Sequence, residues 1–522
     1  MFVPVVCLHV LFVVTYPLNS LGGDAGNYRA MIVEGRSSLV HAGGYPFLVG
    51  LAFRHEPLST MFAGHPERLD ELLQWIQHAI SLATTAVLFQ FTRRIFGALV
   101  AVLTVFSLAT SLEMLGATSS TYPEWLQSAL FVLAGSCAGW AFLARDGGRK
   151  SLLYAASVTA FTWCVLVKFN AAVLGGMYLL PLLAERRRAL TKIVFVAGCL
   201  LLAAVNVVVY VSTFHQPTTG TRRLTADSGW VLLTRTQQVL NNELSPSNGP
   251  NTKRWLVLAS MLPKNYGVAG PQMFWHVNAV ADDVRAPYRA LFDAITSSDE
   301  RSIDARLRDR RLPEGFSVGM SVIPVCYYVG LLEGSDLGTA VAFEAVVANP
   351  RPFLSTLVHD VRYVLQTPTQ GGLFPLTQNM HVYGLKNGER LPGGWISFEQ
   401  QAVASMNPYS YHEAIFWEPG LHLFAQLAEW WVPPRWPAAL IVFVVAITSL
   451  RVGLARRFDA QSAITLMAGI SLVLLILASC LTLQFRWKEL ILAMPSVALL
   501  TSVGAAEIVR GMAAVVRKVT SS

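Results

Sequence analysis

The sequence predicts an all-α polytopic membrane protein, with about ten transmembrane helices and a mainly helical domain outside the bilayer. Three observations carry this prediction. Hydrophobic residues make up 53% of the 522 and charged residues only 14%, against about 25% charged in a soluble chain. The mean hydropathy is +0.46. Short Lys/Arg-rich loops alternate with short loops that nearly lack them, which is how inner and outer loops of a membrane protein differ.

A span needs about 20 mostly apolar residues. Such runs fall at 1–18, 72–92, 95–113, 124–144, 151–167, 171–184, 193–213, 435–451, 460–482 and 489–508. The first has no basic leader region and no Ala-X-Ala-like cleavage site, so it reads as a retained helix. The run 151–184 is long for one helix and short for two. Arg145, Arg149 and Lys150 precede it, and Arg186, Arg187, Arg188 and Lys192 follow it. Both flanks therefore belong on the cytoplasmic side, and the run must cross twice, with Lys168 at the outer turn. Arg93-Arg94, Arg451/Arg456/Arg457 and Arg510/Arg517/Lys518 fall on the same inner side. Both termini are then inside, and 19–71 and 214–434 are outside.

This divides the chain into an N-terminal membrane module, 1–213, carrying a first external loop at 19–71; an extracytoplasmic domain, 214–434; and C-terminal membrane helices, 435–522. The outer domain is nearly neutral. The net charge of +8 is thus a topology signal, and a nucleic-acid footprint is absent. Within this domain, Pro217 to Gly270 is rich in Gly, Pro, Asn, Ser and Thr and reads as loop. Asn278 to Thr296 and Asp299 to Arg311 have amphipathic helical spacing. Leu337 to Ala348 and Pro352 to Leu365 read as two helices broken at Asn349-Pro350, and Glu413 to Trp431 reads as a further helix ending at the membrane. The apolar run Ser321 to Leu332 is too short to span and contains Pro324, so it belongs in this domain's core. Five cysteines fall in apolar segments and only Cys326 in the outer domain, which excludes a disulfide framework. No internal repeat and no Asn-X-Ser/Thr site occurs.

The groups able to do chemistry cluster at the outer face. Leu21 to Gly50 is short, polar and glycine-rich between apolar stretches. Gly22-Gly23 opens a turn, Asp24 stands where a helix starts, and Tyr28 lies one turn on along the same face. Gly35 ends that helix, and His41 with Gly43-Gly44-Tyr45-Pro46 leads back to the membrane. Asp24 is equally a good N-cap for a helix from Ala25 to Glu34, a role compatible with catalysis. Glu113 and Glu124 flank the outer loop LGATSSTYP; Glu124 also suits the helix dipole in its first turn. Lys168 sits between two apolar helices, where a lysine marks either a functional site or a side chain snorkelling to the interface. Arg486 and Lys488, around Trp487 and before Met494-Pro495, add cations on the same side.

An acidic residue after the first membrane helix, a tyrosine one turn later, a His…Pro turn, a second carboxylate at Glu124, Leu166-Val167-Lys168, and Arg486-Trp487-Lys488 before a proline resemble the GT-C glycosyltransferases. The closest likeness is to the protein O-mannosyltransferase and lipid A aminoarabinose transferase branch. The resemblance covers the membrane part; in 214–434 only the Asn349-Pro350 break is family-like. It implies a GT-C-like fold and an inverting glycosyltransferase that moves a hexosyl or pentosyl group from an undecaprenyl- or dolichyl-phosphate donor. The acceptor would be a glycan, lipid or protein at the outer face of a bacterial inner (plasma) membrane. It implies Asp24 and Glu124 as catalytic carboxylates, and Tyr28, His41, Tyr45, Lys168, Arg486 and Lys488 as substrate-binding residues. Lys168 and Arg486 would contact the lipid phosphate, and replacing either by Met would weaken donor binding without unfolding the protein. Some members of the family need a divalent metal; no ligand cluster in this sequence requires one.

Two other readings put charges at membrane depth beside a large outer loop. One is a transporter or flippase for lipid-linked substrates, which predicts repeat symmetry between halves. The other is an O-antigen ligase or polymerase. His412-Glu413 lacks a second histidine at i+4 and is no metalloprotease motif. No phosphate-binding glycine pattern follows a strand.

Overall fold

The computed structural model describes residues 2–15, 23–39, 41–53, 66–109, 111–179, 189–225, 227–240, 244–263, 282–309, 322–366, 436–455, 459–482 and 491–520. All regular elements among them are helices, and the protein is a polytopic helical membrane protein. The predicted helix Glu413 to Trp431, together with Arg486 and Lys488, lies outside the described residues.

The membrane part begins with α1 (Phe2–Thr15), α2 (Gly23–Glu34) and α3 (Gly44–Ala52). Next come α4 (Pro66–Phe96), α5 (Ala98–Ala109), α6 (Leu112–Thr118), α7 (Glu124–Leu143) and α8 (Gly147–Val167). Local chemistry sets these boundaries. Ser111 caps α6 by accepting from the Met114 N–H at 3.3 Å, and Asp146 caps α8 by accepting from the Arg149 N–H at 2.7 Å. α2 ends in a Schellman motif. Gly35 adopts φ +60°, the Arg36 N–H donates to the Met31 carbonyl, and the Gly35 N–H donates to that of Ile32.

Among the described residues, six helices are long and apolar enough to cross a bilayer: Arg68–Phe96, Glu124–Leu143, Gly147–Val167, Lys192–Thr219, Ala460–Leu481 and Ile491–Arg517. Shorter apolar helices at Phe2–Val14, Ala98–Ala109 and Ile441–Val452 match three more of the ten predicted spans. The tenth, 171–184, is different. Residues Phe169–Leu179 form a 3₁₀ helix, whose eleven residues rise only about 22 Å. It packs on α8 and on the later helix α19 (Ala460–Thr482), with Ala171 and Leu174 fully buried. Residues 115–118, predicted as the start of an outer loop, instead continue α6, whose first turn is capped by Ser111.

The bundle closes on itself across the sequence. Phe91 of α4, Val100 and Leu108 of α5, and Trp125 and Val132 of α7 share one core with Ile464 of α19 and Leu500 of the last helix, α20 (Met494–Thr520). α18 (Trp436–Ala455) packs on both α19 and α20. Tyr28, Met31, Ile32 and Tyr45 of the first loop belong to that same core, so this loop is part of the bundle's end.

α9 (Ala189–Tyr210) runs through a π-helical turn, Val211–His215, into the short α10 (Gln216–Thr219). A second core follows, built from α11 (Asp227–Val239), α12 (Pro250–Met261), α13 (Asp282–Thr296), α14 (Glu300–Asp309), α15 (Val322–Tyr328) and α16 (Leu331–Ala348), after which comes α17 (Pro350–Gln366). Its buried centre includes Leu233, Trp255, Leu258, Ile295, Ile303, Val325, Cys326 and Val341. Of the run 321–332, residues 325–332 sit in this core, as the run's length required.

The reading of Pro217 to Gly270 as loop is corrected: it contains α11 and α12. Its Ser, Asn, Gly and Pro residues gather at helix starts; Pro250 occupies the first turn of α12, where a proline loses nothing. Trp255 to Leu258 is buried on all sides, so no amphipathic period marks it. Glu344 of α16 completes the start of α12. It accepts from the Asn251 and Thr252 N–H groups at 2.9 and 2.7 Å, and from the Asn251 amide and Thr252 hydroxyl at 2.8 and 2.9 Å. A carboxylate at a helix N-terminus also meets the positive dipole end. Glu344→Ala strands these donors and should cost about 1–3 kcal/mol, read as a lower thermal midpoint of the purified protein, with Glu344→Gln recovering part of the loss.

Candidate functional site

The site is built where the first loop meets the ends of three membrane helices. Asp24 is the second residue of α2, so it stands in the first turn of that helix, not before it as a cap for Ala25 to Glu34. Tyr28 follows one turn later, buried. Its ring lies 5.3 Å from that of His41 and 6.2 Å from that of Tyr45, and Tyr45 meets Trp125 edge-on at 6.0 Å. The Asn27 amide and the His41 Nε2 are 3.0 Å apart. The Gln77 amide of α4 donates both to the Tyr45 hydroxyl at 2.6 Å and to the Ser120 carbonyl at 3.0 Å. Burial pushes the Tyr45 phenol up to about 12, so it stays a neutral hydroxyl at physiological pH. These contacts bring three of the sequence-predicted residues, Tyr28, His41 and Tyr45, into one aromatic cluster.

Glu124 and Lys168 meet directly. Glu124 opens α7 and Lys168 ends α8, where its backbone turns extended. The Lys168 Nζ lies 2.6 Å from the Glu124 Oε1, with the carboxylate side chain 1% exposed and the lysine side chain 20%. The second carboxylate oxygen, Oε2, is buried and has no hydrogen-bond partner among the described residues. Gln127, one turn into α7, holds the backbone of the α8 end. Its amide donates to the Lys168 carbonyl and to the Asn170 Oδ1, both at 2.7 Å. Nothing in the spacing of Glu124 and Lys168 announces their pairing. Gln127 is a functional residue the sequence reading does not single out; its signal is a glutamine one turn after a glutamate in an apolar helix.

The first loop is pressed against this pair. Gly44 lies so close to α8 that a Cβ there would overlap the Leu166 carbonyl and come within 2.7 Å of the Val167 nitrogen. Gly44→Ala should push α3 off the α8 end, costing about 1–3 kcal/mol, visible as a lower melting temperature in detergent. On the other side, the Ser37 hydroxyl is 2.7 Å from the His215 Nδ1 and 3.1 Å from the Tyr210 hydroxyl, and the Ser37 N–H donates to Thr218 at 3.1 Å. The π-helical turn of α9 supplies His215, a common use of such turns at functional sites. Leu39, two residues later, is buried in the second core, and its carbonyl accepts from the Thr225 hydroxyl at 3.2 Å.

The arrangement offers a buried carboxylate, a cation and buried aromatic surface at one end of a membrane bundle. It can polarise or deprotonate a hydroxyl and neutralise an anionic group. Among the described residues, no three His, Cys, Asp or Glu side chains converge on a common point.

Fold and site together define a polytopic, all-helical membrane protein with its polar machinery at one end of the bundle. No family model matches the sequence, and no curated protein is significantly similar. Two crystal structures of ArnT from Cupriavidus metallidurans are similar to it. In the apo state the identity is 15% and the TM-score 0.32, with 96% of this chain and 76% of that chain covered. Bound to undecaprenyl phosphate, the identity is 13% and the TM-score 0.30, with 97% and 77% covered.

Proposed function

We propose that this protein is a GT-C-type glycosyltransferase that moves a sugar from a polyprenyl-phosphate donor to an acceptor hydroxyl at the outer face of the membrane. The observation that carries the reading is the meeting of Glu124 and Lys168 at the bundle end, with Gly44 and Tyr45 of the Asp24 loop packed on the residues beside them, Leu166, Val167 and Trp125. In the reaction the acceptor oxygen bonds to the anomeric carbon as the carbon–oxygen bond to phosphate breaks. The polyprenyl phosphate leaves with the bonding pair, and the acceptor proton passes to a carboxylate. Asp24 serves as that base. Lys168 and Arg486, accompanied by Lys488, stabilise the charge growing on the phosphate. Glu124 holds Lys168 in place, and its open Oε2 is an acceptor that a substrate hydroxyl satisfies. Tyr28, His41 and Tyr45 form the wall against which the sugar packs.

The test is a reconstituted transfer assay with polyprenyl-phosphate sugars. Release of free polyprenyl phosphate with formation of an inverted glycosidic bond is the expected result. Movement of intact donor across the bilayer without bond cleavage would instead favour a transporter. The reading also requires 214–434 to be extracytoplasmic. A phosphatase fused after Asn248 should therefore be active and a cytoplasmic reporter at the same point silent; the opposite pattern would remove Lys168 from the outer face.

A further inference from the structure

The helical corner α16–α17 carries an apolar face that the second core does not use. Phe343 and Val347 of α16 are 62% and 78% exposed, and Leu354 and Val358 of α17 are 61% and 66% exposed. Each pair is spaced i, i+4 and so lies on one face of its helix. The two helices are separated only by Asn349. On α17, Asp360 stands about 200° around the helix from Val358 by the 3.6-residue repeat. Asp360 pairs with Arg235 of α11, both largely buried, and α11 and α17 both pack on α19. The charges of Arg235 and Asp360 reach Cys480, near the C-terminal end of α19. α17 is thus anchored by its polar side to the end of a membrane-spanning helix, with its apolar side turned the other way. α19 itself exposes Leu481 at that same end, so apolar surface exposed on the span resumes on α17. Arg351 and Arg362, both exposed, flank Leu354 and Val358.

We propose that the α16–α17 corner lies in the plane of the membrane interface, with Phe343, Val347, Leu354 and Val358 set into the acyl boundary of the bilayer and Arg351 and Arg362 at the phosphate level. An apolar face flanked by basic residues binds a lipid surface in this way, immersed by about 5–10 Å, and anionic headgroups strengthen the arginine contacts. The occupant of the face is phospholipid. The continuity with α19 argues for it, because whatever surrounds the exposed end of a membrane span also meets a helix anchored beside that end. The leaflet concerned is the outer one under the topology given above, but the immersion itself does not depend on the sugar-transfer reading.

The experiment uses full-length protein with its six native cysteines replaced, reconstituted in vesicles of neutral and anionic phospholipid, with a nitroxide attached at Leu354→Cys, Val358→Cys or His359→Cys. These positions are exposed, so labelling leaves the core intact. The His359 side chain is 77% exposed beside Asp360 and lies about 100° around the helix from Val358, off the apolar face. The expected result is an oxygen-to-nickel-chelate accessibility ratio several-fold higher at 354 and 358 than at 359. Equal nickel accessibility at 358 and 359 would overturn the proposal, showing a face in water. Exclusion of both reagents at 354 and 358 would also overturn it, showing that protein, from this chain or a second copy, covers the face.

Discussion

Asp24→Asn should fold normally, still bind a polyprenyl-phosphate sugar, and transfer it about 10²–10⁴-fold more slowly, the usual range for losing a general base. In the first turn of the helix asparagine keeps the shape of aspartate and loses only the carboxylate's interaction with the helix dipole, about 0.3–1 kcal/mol. It cannot accept a proton at neutral pH. The substitution therefore separates the two readings of this residue. Single-turnover transfer and donor binding, measured on the same preparation, decide between them. Normal turnover by a well-folded Asp24→Asn protein would shift the role of base to Glu124, the other carboxylate at this end of the bundle.

Lys168→Met should destabilise the protein by about 3–5 kcal/mol as well as weaken donor binding, because it leaves the Glu124 carboxylate buried and alone. The sequence by itself suggested a loss of binding without unfolding; the 2.6 Å ion pair changes that expectation. Adding Glu124→Gln to Lys168→Met removes the stranded charge. The double variant should regain most of the thermal stability while remaining deficient in donor binding. A cycle of wild type, both single variants and the double variant, followed by melting in detergent and by donor titration, separates the structural share of Lys168 from its share in phosphate binding. If the double variant regains transfer along with stability, Lys168 serves the fold alone.

The membrane helices were readable because hydropathy, length and loop charge all report the same solvent. The Asn349-Pro350 break and the helices on either side of it were readable from proline and periodicity. The partnership of Glu124 and Lys168 was not, since 44 residues separate them and only the packing of α7 on α8 makes them neighbours. α11 and α12 were misread because residues that look like loop composition are consumed in starting helices, and a segment buried on every side has no amphipathic period. In the second half of 151–184 an apolar run does not distinguish an α-helix from the 3₁₀ helix that residues 169–179 form. Its Gly175-Gly176 pair and polar Asn170 accompany a tighter 3₁₀ path. The aromatic cluster of Tyr28, His41 and Tyr45 was assembled from residues singled out in sequence, but the clamp on it from Gln77 comes from inside a helix that hydropathy reports only as greasy.

The stretch from Tyr28 to Tyr45 is rooted at both ends in the bundle core and in its middle, through Leu39, in the second core. That makes the outer domain a poor interchangeable cartridge. A chimera that grafts 214–434 from a distant homologue onto this membrane module would meet a leucine shaped for a different socket, and a Ser37 seeking the His215 and Thr218 of its original partner. Viable exchanges, whether in the laboratory or over evolutionary time, must carry residues 35–43 along with the domain.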